Sequence, residues 1–286
     1  MKLEKLNKCN LCGSKDIFWV CGYSDICQCK DCGYIFENPR PTTYEIMNYY
    51  SQREKYNSWL VEEKSRDILW KRRLKLLKKY KSSGRLLDIG TGVGQFLHFA
   101  RNDFEVVGTE ISKSAIEIAK QKYNIDVIQD EIENINFNYK FDAITLFHVL
   151  EHVPNPSLTI NKCKELLDNE GVLVIAVPNI DLRSKIGGLL PYFKMKKFRE
   201  YGRLGLHKSA SIRHRNEIHL SHFTPSVLQE FLIENGFIII ENTLDPYYAA
   251  KGVKLICHYL LYKLCLIISK IFKINLYYTI LIVAKK

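Results

Sequence analysis

From residue 84 onward, short apolar runs alternate with stretches of about ten residues that carry a helical period, and this rhythm constrains the fold most tightly. Strands are predicted at 85–89, 105–110, 126–129, 141–147 and 172–177, with helices at 94–102, 114–123 and 157–167 between them. Adjacent parallel strands need a crossover, and helices of this length supply one on each face of the sheet. The fold class is therefore α/β, built on a mainly parallel sheet covered on both sides. A further helix at 225–234, broken by Asn235-Gly236, a strand at 237–241 and a last apolar strand at 277–284 complete the pattern.

The first strand runs directly into Gly90-Thr91-Gly92-Val93-Gly94 and then a helix. Glycines permit positive φ and close approach of a ligand, and the following helix N-terminus offers free N–H groups. The spacing is G-x-G-x-G and differs from the G-x-G-x-x-G of dinucleotide enzymes. Asp88 lies inside the first strand, two residues before the loop. Glu110 ends the second strand, where the crevice of a doubly wound sheet presents a carboxylate to ribose hydroxyls. Asp130 follows the third strand, placed to receive an adenine amino group.

These pieces resemble the class I S-adenosylmethionine-dependent methyltransferases. The matching runs are Leu87-Asp88-Ile89-Gly90-Thr91-Gly92-Val93-Gly94, Val107-Gly108-Thr109-Glu110-Ile111-Ser112, residues 141–153, Gly171 to Asn179, and His219-Leu220-Ser221-His222-Phe223-Thr224. The likeness is nearest to the small-molecule branch that holds the ubiquinone-pathway O-methyltransferases and many enzymes of cell-surface glycan synthesis. It implies a Rossmann-like seven-stranded sheet, mostly parallel with its last strand antiparallel. It also implies S-adenosylmethionine as cofactor: Asp88, Gly90 and Gly92 at the methionine moiety, Glu110 at the ribose, and Asp130 with Glu131 at adenine. Gly94 and Phe147 complete the binding set. Asp88→Ala and Glu110→Ala are each expected to weaken cofactor binding severely while leaving the fold intact. Methyl transfer from a sulfonium releases a neutral leaving group, so positioning matters more than charge stabilisation, and a hydroxyl acceptor adds the need for a general base.

His148-Val149-Leu150-Glu151-His152 also spells H-x-x-E-H, a zinc-protease pattern. Pro154 and Pro156 break any helix that such a motif needs. Ubiquinone-type enzymes carry E-x-x-E-H at the similar position, associated with a divalent ion in some members. His148 in place of the first acid counts against magnesium, which prefers oxygen ligands. His148 and His152 are candidate bases or cofactor-edge contacts, with turn capping by Glu151 and His152 as the alternative. His219 is a third candidate, and His222 shares its segment; either faces the acceptor or is structural, before Thr224 and Pro225 open the next helix.

Cys9-x₂-Cys12 and Cys29-x₂-Cys32, sixteen residues apart, have the spacing of a zinc ribbon, with Cys21 and Cys27 between them. Four thiolates close a tetrahedral Zn²⁺ and leave no open position, so the ion is structural. The leading residues lack the apolar run of a signal peptide, and the nine cysteines are expected as thiols or ligands rather than disulfides. The expected domains are a ribbon at 1–40, a helical connector at 41–83 and a methyltransferase domain at 84–286, with a basic insertion at 183–218 and an apolar helical segment at 251–273.

Charge is distributed unevenly. The net +11 arises wholly after residue 182, since residues 1–182 hold 25 basic and 25 acidic side chains. Ten of the basic residues fall in 183–215 against the single Glu200. A confined basic patch points to an anionic ligand or headgroup rather than to nonspecific nucleic-acid binding. The acceptor is expected to be a small molecule, a glycan or a lipid-linked intermediate, methylated on oxygen or carbon. Nucleic acid is disfavoured because Thr145-Leu146-Phe147-His148 lacks the N/D-P-P-Y signature, although Tyr192, Phe193, Phe198 and Tyr201 offer stacking faces. A cofactor-binding protein without catalysis is the remaining alternative. In 253–272, 15 of 20 residues are apolar, yet its lysines and the strand that must follow argue against a spanning helix. The segment is expected in the core, at a dimer interface, or flat on a membrane. The expected location is the cytoplasm, with a peripheral contact at the inner membrane face; the oligomeric state stays open.

Overall fold

The computed structural model describes residues 2–56, 60–61, 63–181, 204, 206–208, 217–245 and 252–286. Nearly all of the basic 183–218 insertion, with Tyr192, Phe193, Phe198 and Tyr201, lies outside those residues.

Five short strands come first: β1 Leu3–Glu4, β2 Ile17–Trp19, β3 Ile26–Cys29, β4 Ile35–Glu37 and β5 Arg40–Pro41. Helices α1 (Thr43–Tyr50) and α2 (Glu63–Leu77) follow, joined by a 3₁₀ turn at Arg53–Tyr56. The alternating region then supplies β6 (Gly84–Ile89), α3 (Gln95–Ala100), β7 (Phe104–Glu110), α4 (Lys113–Ile118), β8 (Val127–Gln129), β9 (Phe141–Phe147), α5 (Pro156–Leu166) and β10 (Leu167–Pro178). The C-terminal part holds β11 (Ser221–His222), α6 (Pro225–Glu234), β12 (Ile238–Thr243), α7 (Gly252–Phe272) and β13 (Thr279–Lys285).

Seven strands form one sheet in the order β12-β13-β10-β9-β6-β7-β8. Strands β10, β9, β6, β7 and β8 pair in parallel, and β13 inserts antiparallel between β10 and β12. This is the mainly parallel α/β sheet that the sequence pattern predicts, with the seven strands and antiparallel last strand that the resemblance implies. Chain order reverses between β6 and β9, and the crevice at their carboxyl ends is where such sheets bind ligands.

Alternate residues of each strand feed opposite cores, as the pleat requires. Val172, Val174 and Ala176 of β10, with Leu281 and Val283 of β13, pack beneath α2, α3 and α4 around Trp70, Leu77 and Phe96. Leu173, Ile175, Val177, Ile280 and Ile282 face the other way, against Ile160 and Leu166 of α5 and Leu228 and Phe231 of α6. The latter core also contains Cys9, Cys29, Tyr34 and Phe36.

The N-terminal module is thus fused to the larger domain. Its β2-β3-β4 meander is extended by β11, with Ser221 opposite Phe36 and His222 opposite Ile35. A boundary at residue 40 divides the sequence but not the packing.

Three local departures from expectation have plain causes. The helix predicted at 114–123 is α-helical only to Ile118, then widens into a π turn closed by Asn124 at φ 52°. Strand β10 starts at Leu167 rather than 172, because a register shift before Val172 accommodates the exposed Asp168-Asn169-Glu170. Core burial of the apolar segment is overturned: along α7 only Cys265 is buried. Its contacts with the domain run through Tyr262, Cys265 and Leu266 to Leu244 and Tyr277.

Candidate active site

A cavity of about 300 Å³ opens over the carboxyl ends of β6, β7 and β9. One end is the turn after β6. Gly90 and Gly92 line it at φ 66° and 57°, a region that side chains with a Cβ avoid. A Cβ on Gly90 would also lie 2.6 Å from Val149 Cγ2. Gly94, at φ 76°, begins α3 and packs against Ala119 on the far side of the turn. Its freedom serves the close packing of the start of α3 on the π turn after α4 rather than the cavity wall.

Asp88 sits below this turn, buried, and accepts from Thr145 Oγ1 at 2.6 Å. Burial pushes its carboxyl up to about 6, against the pull of hydrogen bonds from Thr145 and Thr91. Glu110 lines the cavity and accepts from the backbone N–H groups of Gly92, Ile111 and Ser112 at 2.8, 2.8 and 2.9 Å. Burial raises its carboxyl, and those three donors partly offset the rise. A carboxylate has about four acceptor sites, so roughly one remains for a sugar hydroxyl. Asp130 and Glu131 line the next stretch with Ile132 and Glu133. The Asp130 carboxylate accepts from Glu131 N and Asn134 Nδ2, both at 2.8 Å. Phe147 forms the floor, with its ring edge-on to Phe96 and Trp70.

The opposite end holds His148, His152 and His219. His148 follows β9 with φ 59°, so a residue with a Cβ is held in the left-handed region. Its ring lies between two carboxylates, Nδ1 at 3.3 Å from Glu151 and Nε2 at 3.2 Å from Asp245. Burial alone would lower its pKa, but those carboxylates hold it above the ordinary histidine value. Asp245 is held at about 2, since Arg73 and His148 together overcome its burial. Arg73 grips Asp245 through Nε and Nη2, and both side chains are almost wholly buried. Both His148 nitrogens thus face carboxylates, and neither points to the open cavity as a free base would.

His152 is different. Its Nδ1 lies 2.5 Å from the Ile218 carbonyl, which can only accept, so Nδ1 carries the proton and Nε2 keeps its lone pair. Burial lowers its pKa, which keeps the ring neutral. Glu151, 1% exposed, faces that lone pair, with Oε1 3.8 Å from Nε2. His219 packs edge-on against His152 and shares a 3.0 Å hydrogen bond through Nε2 with Glu217. His222 is buried in β11, opposite Ile35, and is not among the cavity-lining residues.

Glu151, His152 and His219 each offer a ligand atom within 4.8 Å of the others. Two imidazoles and one carboxylate suit a borderline transition ion better than Mg²⁺. The cysteine group fits Zn²⁺ more closely. Cys9 and Cys32 sulfurs are 3.7 Å apart and those of Cys12 and Cys29 3.6 Å, near the edge of about 3.8 Å set by Zn–S bonds of about 2.3 Å. The hydrogen bond with Cys32 lowers the Cys9 thiol to about 5, so a thiolate is ready for the ion. Burial pushes Cys12 up to about 11, and contact with Cys9 raises Cys32 further.

Sequence reasoning missed the contribution of the connector. Tyr50, Tyr56, Arg66, Trp70 and Arg73 all line the cavity. The signal lay in Trp70 and Arg73, three apart and so on one face of α2. Asp245 and Glu217 were also missed: Asp245 partners His148 from a distant part of the sequence, and Glu217 partners His219 two positions on.

A glycine turn after the first strand, an acid ending the second and a seven-stranded sheet with one reversed strand together define a class I S-adenosylmethionine-binding methyltransferase domain. Residues 61–242 match the family model described as a methyltransferase domain, and the chain belongs to that family. The ubiquinone biosynthesis O-methyltransferase of Haemophilus ducreyi is 33% identical over 112 residues, covering 35% of this chain and 48% of the relative. An uncharacterized protein of Methanocaldococcus jannaschii is 32% identical over 145 residues, covering 50% of this chain and 66% of the relative. The chain therefore spans about half to two thirds of the length of these curated relatives. Among solved structures, an S-adenosylmethionine-dependent methyltransferase from Archaeoglobus fulgidus superposes with a TM-score of 0.50 at 22% identity, covering 80% of this chain and all of the other. Magnesium protoporphyrin IX methyltransferase from Synechocystis superposes at 0.51 with 15% identity, covering 85% and 98%.

Proposed function

We propose that this protein methylates a hydroxyl of a small-molecule acceptor, a class that includes glycans and lipid-linked intermediates, with His152 as the general base. The observation that carries this reading is the continuity of one cavity from the glycine turn and Glu110 to the three histidines. When bound, S-adenosylmethionine supplies an electrophilic methyl group on a sulfonium. The chain's own work is to orient and to move a proton. Gly90 and Gly92 let the amino-acid end approach the backbone, Glu110 takes a ribose hydroxyl, and the acids after β8 take the adenine edge.

At the acceptor end, the neutral His152 withdraws the hydroxyl proton at Nε2. Glu151 faces the resulting imidazolium and stabilises it. His148 fixes the loop, while the aromatic floor and the connector helices exclude water. A divalent ion held by Glu151, His152 and His219 is a second reading, favoured by the His152 lone pair facing a buried carboxylate. Such an ion would lower the pKa of an acceptor hydroxyl. The H. ducreyi relative's name, an O-methyltransferase, agrees with oxygen as the methylated atom.

The test uses radiolabelled S-adenosylmethionine with a panel of catechols, hydroquinones and polyprenyl-linked glycans. His152→Asn is expected to lower kcat by about 10²–10⁴-fold while calorimetric cofactor affinity stays unchanged. Transfer that survives this variant undiminished rules out His152 as the base. Added Mn²⁺ or Zn²⁺ that restores a chelated enzyme selects the ion reading.

A further inference from the structure

The apolar segment that the sequence sets apart is a surface helix, and its outer face has a definite composition. Helix α7 is 21 residues long and apolar, and Cys265 is its one buried residue. Val253, Ile256, Leu260, Leu264, Ile267 and Ile271 recur at spacings of three and four, so they share one stripe. All six are exposed, from 55% for Ile267 to 75% for Val253. The opposite face, through Tyr262, Cys265 and Leu266, holds the helix against Leu244 and Tyr277. The Tyr262 and Tyr277 rings meet edge-on at 5.6 Å.

Charge on this element has one sign. From residue 246 to the end the sequence holds seven lysines and no aspartate or glutamate. Lys254 lies about a quarter turn to one side of the apolar stripe, and Lys263 and Lys270 lie about a quarter turn to the other. An apolar stripe with lysines on its shoulders buries aliphatic side chains among acyl chains and keeps ammonium groups at headgroup level.

The geometry points to α7 as a docking surface for an anionic lipid bilayer, lying flat in the headgroup boundary. A crossing orientation is excluded by connectivity. Strands β12 and β13 are paired neighbours on either side of the helix, with Thr243 opposite Leu281. Residues 273–278 reach at most about 20 Å when fully extended, short of the roughly 30 Å hydrocarbon core they would have to recross. A second copy is the poorer occupant. An isologous pairing of the stripe would set lysine rows against a segment with no acid to receive them. Anionic headgroups complement every charge that the helix carries. The base of α7 also adjoins the cavity. Tyr277 Oη donates to Tyr278 Oη at 2.8 Å, and Tyr278 and Thr279 line the cavity wall. A docked helix would set the cavity beside the lipid surface. The docking itself does not depend on which acceptor is methylated.

The experiment is flotation of the full chain with phosphatidylglycerol–phosphatidylcholine vesicles and with phosphatidylcholine vesicles alone, without acceptor. The protein is expected to float with the anionic vesicles, to stay down with the neutral ones, and to release as salt rises. Leu260→Glu with Leu264→Glu is expected to weaken flotation by at least about tenfold. Both side chains point outward, so melting temperature and cofactor affinity should not change. Val253→Glu with Ile271→Glu is an independent second disruption. The proposal is overturned by absent flotation at low salt, or by flotation that survives both double variants. It is equally overturned by a solution dimer that these substitutions dissociate, which would assign the stripe to a second copy. Failed methyl transfer with intact flotation would count against the acceptor reading alone.

Discussion

Arg40 donates through Nη1 to the carbonyl of Pro154 at 2.7 Å, tying the end of the cysteine module to the loop that carries the site histidines. Asn10 Nδ2 donates to the same carbonyl at 2.9 Å. Leu220 and Ser221 donate their N–H groups to the Glu151 carbonyl, and Glu37 N donates to Leu220 O. The module and the acceptor-side loop therefore share one hydrogen-bonded frame. None of these bonds reaches Glu110 or the glycine turn.

Zinc removal should accordingly act on one end of the cavity. Chelation, or Cys9→Ser with Cys32→Ser, is expected to lower the melting temperature and to raise the acceptor KM by about tenfold or more. Affinity for S-adenosylmethionine should change by less than about threefold. The contrast follows from where a metal site's energy is spent, in the fold it cross-links. Paired calorimetry and steady-state kinetics on native and chelated protein make the comparison. Equal losses at both ends would refute the coupling.

Glu110 has a second role that its motif does not announce. Its carboxylate satisfies three backbone N–H groups as well as facing the cavity, so Glu110→Ala leaves buried donors without an acceptor, at about 1–3 kcal/mol for each left unsatisfied. The expectation that this variant keeps its fold unchanged therefore gives way. Glu110→Ala should melt several degrees below the wild type even without cofactor, whereas Glu110→Gln keeps an acceptor oxygen and loses less. Thermal denaturation of the apo proteins reads the difference, and a wild-type melting temperature in the alanine variant would show that the staple carries no weight.

What the sequence disclosed and what it concealed divide along a physical line. The strands of the sheet were legible because their apolar runs and the turns that bound them are local in the chain. Gly90, Gly92 and Glu110 were legible because a ligand-binding turn constrains residue type at fixed spacing. The join of β11 to β4 was not, since two-residue strands carry no periodicity and their pairing spans more than 180 positions. The His148–Asp245–Arg73 chain was hidden for the same reason: its members come from a strand end, the segment after β12 and a helix whose charged composition reads as solvated. For α7 the composition was plain, but only the structure shows that its apolar stripe faces away from the domain.

Asp88 supplies a pH signature. Its folded value of about 6 lies above the ordinary aspartate value of about 4, so the native state retains a proton that the unfolded chain releases. Stability therefore falls as pH rises between those two values and is level above them. The loss is on the order of 2–3 kcal/mol, several degrees in melting temperature for a domain of this size. Asp88→Asn removes the ionisation and keeps the shape. It should flatten the decline between about pH 4 and pH 6 and melt higher than the wild type at pH 7.5. Parallel pH-dependent profiles for the two proteins would show that the carboxyl is not buried as described.

The buried pair of Arg73 and Asp245 makes the strongest demand on the fold. Each side chain is at most 1% exposed, and the guanidinium also lies over the rings of Trp70 and Phe147, at 4.8 and 4.4 Å from their centroids. Asp245→Asn takes the paired carboxylate away from a buried cation at the cavity wall, a change that costs about 3–5 kcal/mol when one member of a buried pair is removed. It also removes one of the two carboxylates that hold His148 above its ordinary pKa, so that histidine should titrate at lower pH. Histidine NMR and chemical denaturation on the same variant test both effects. Arg73→Met with Asp245→Leu deletes both charges together and should recover much of the stability. It should not recover the His148 pKa, because that depends on the carboxylate and not on the packing. Recovery of both, or of neither, would break the link between the ion pair and the histidine.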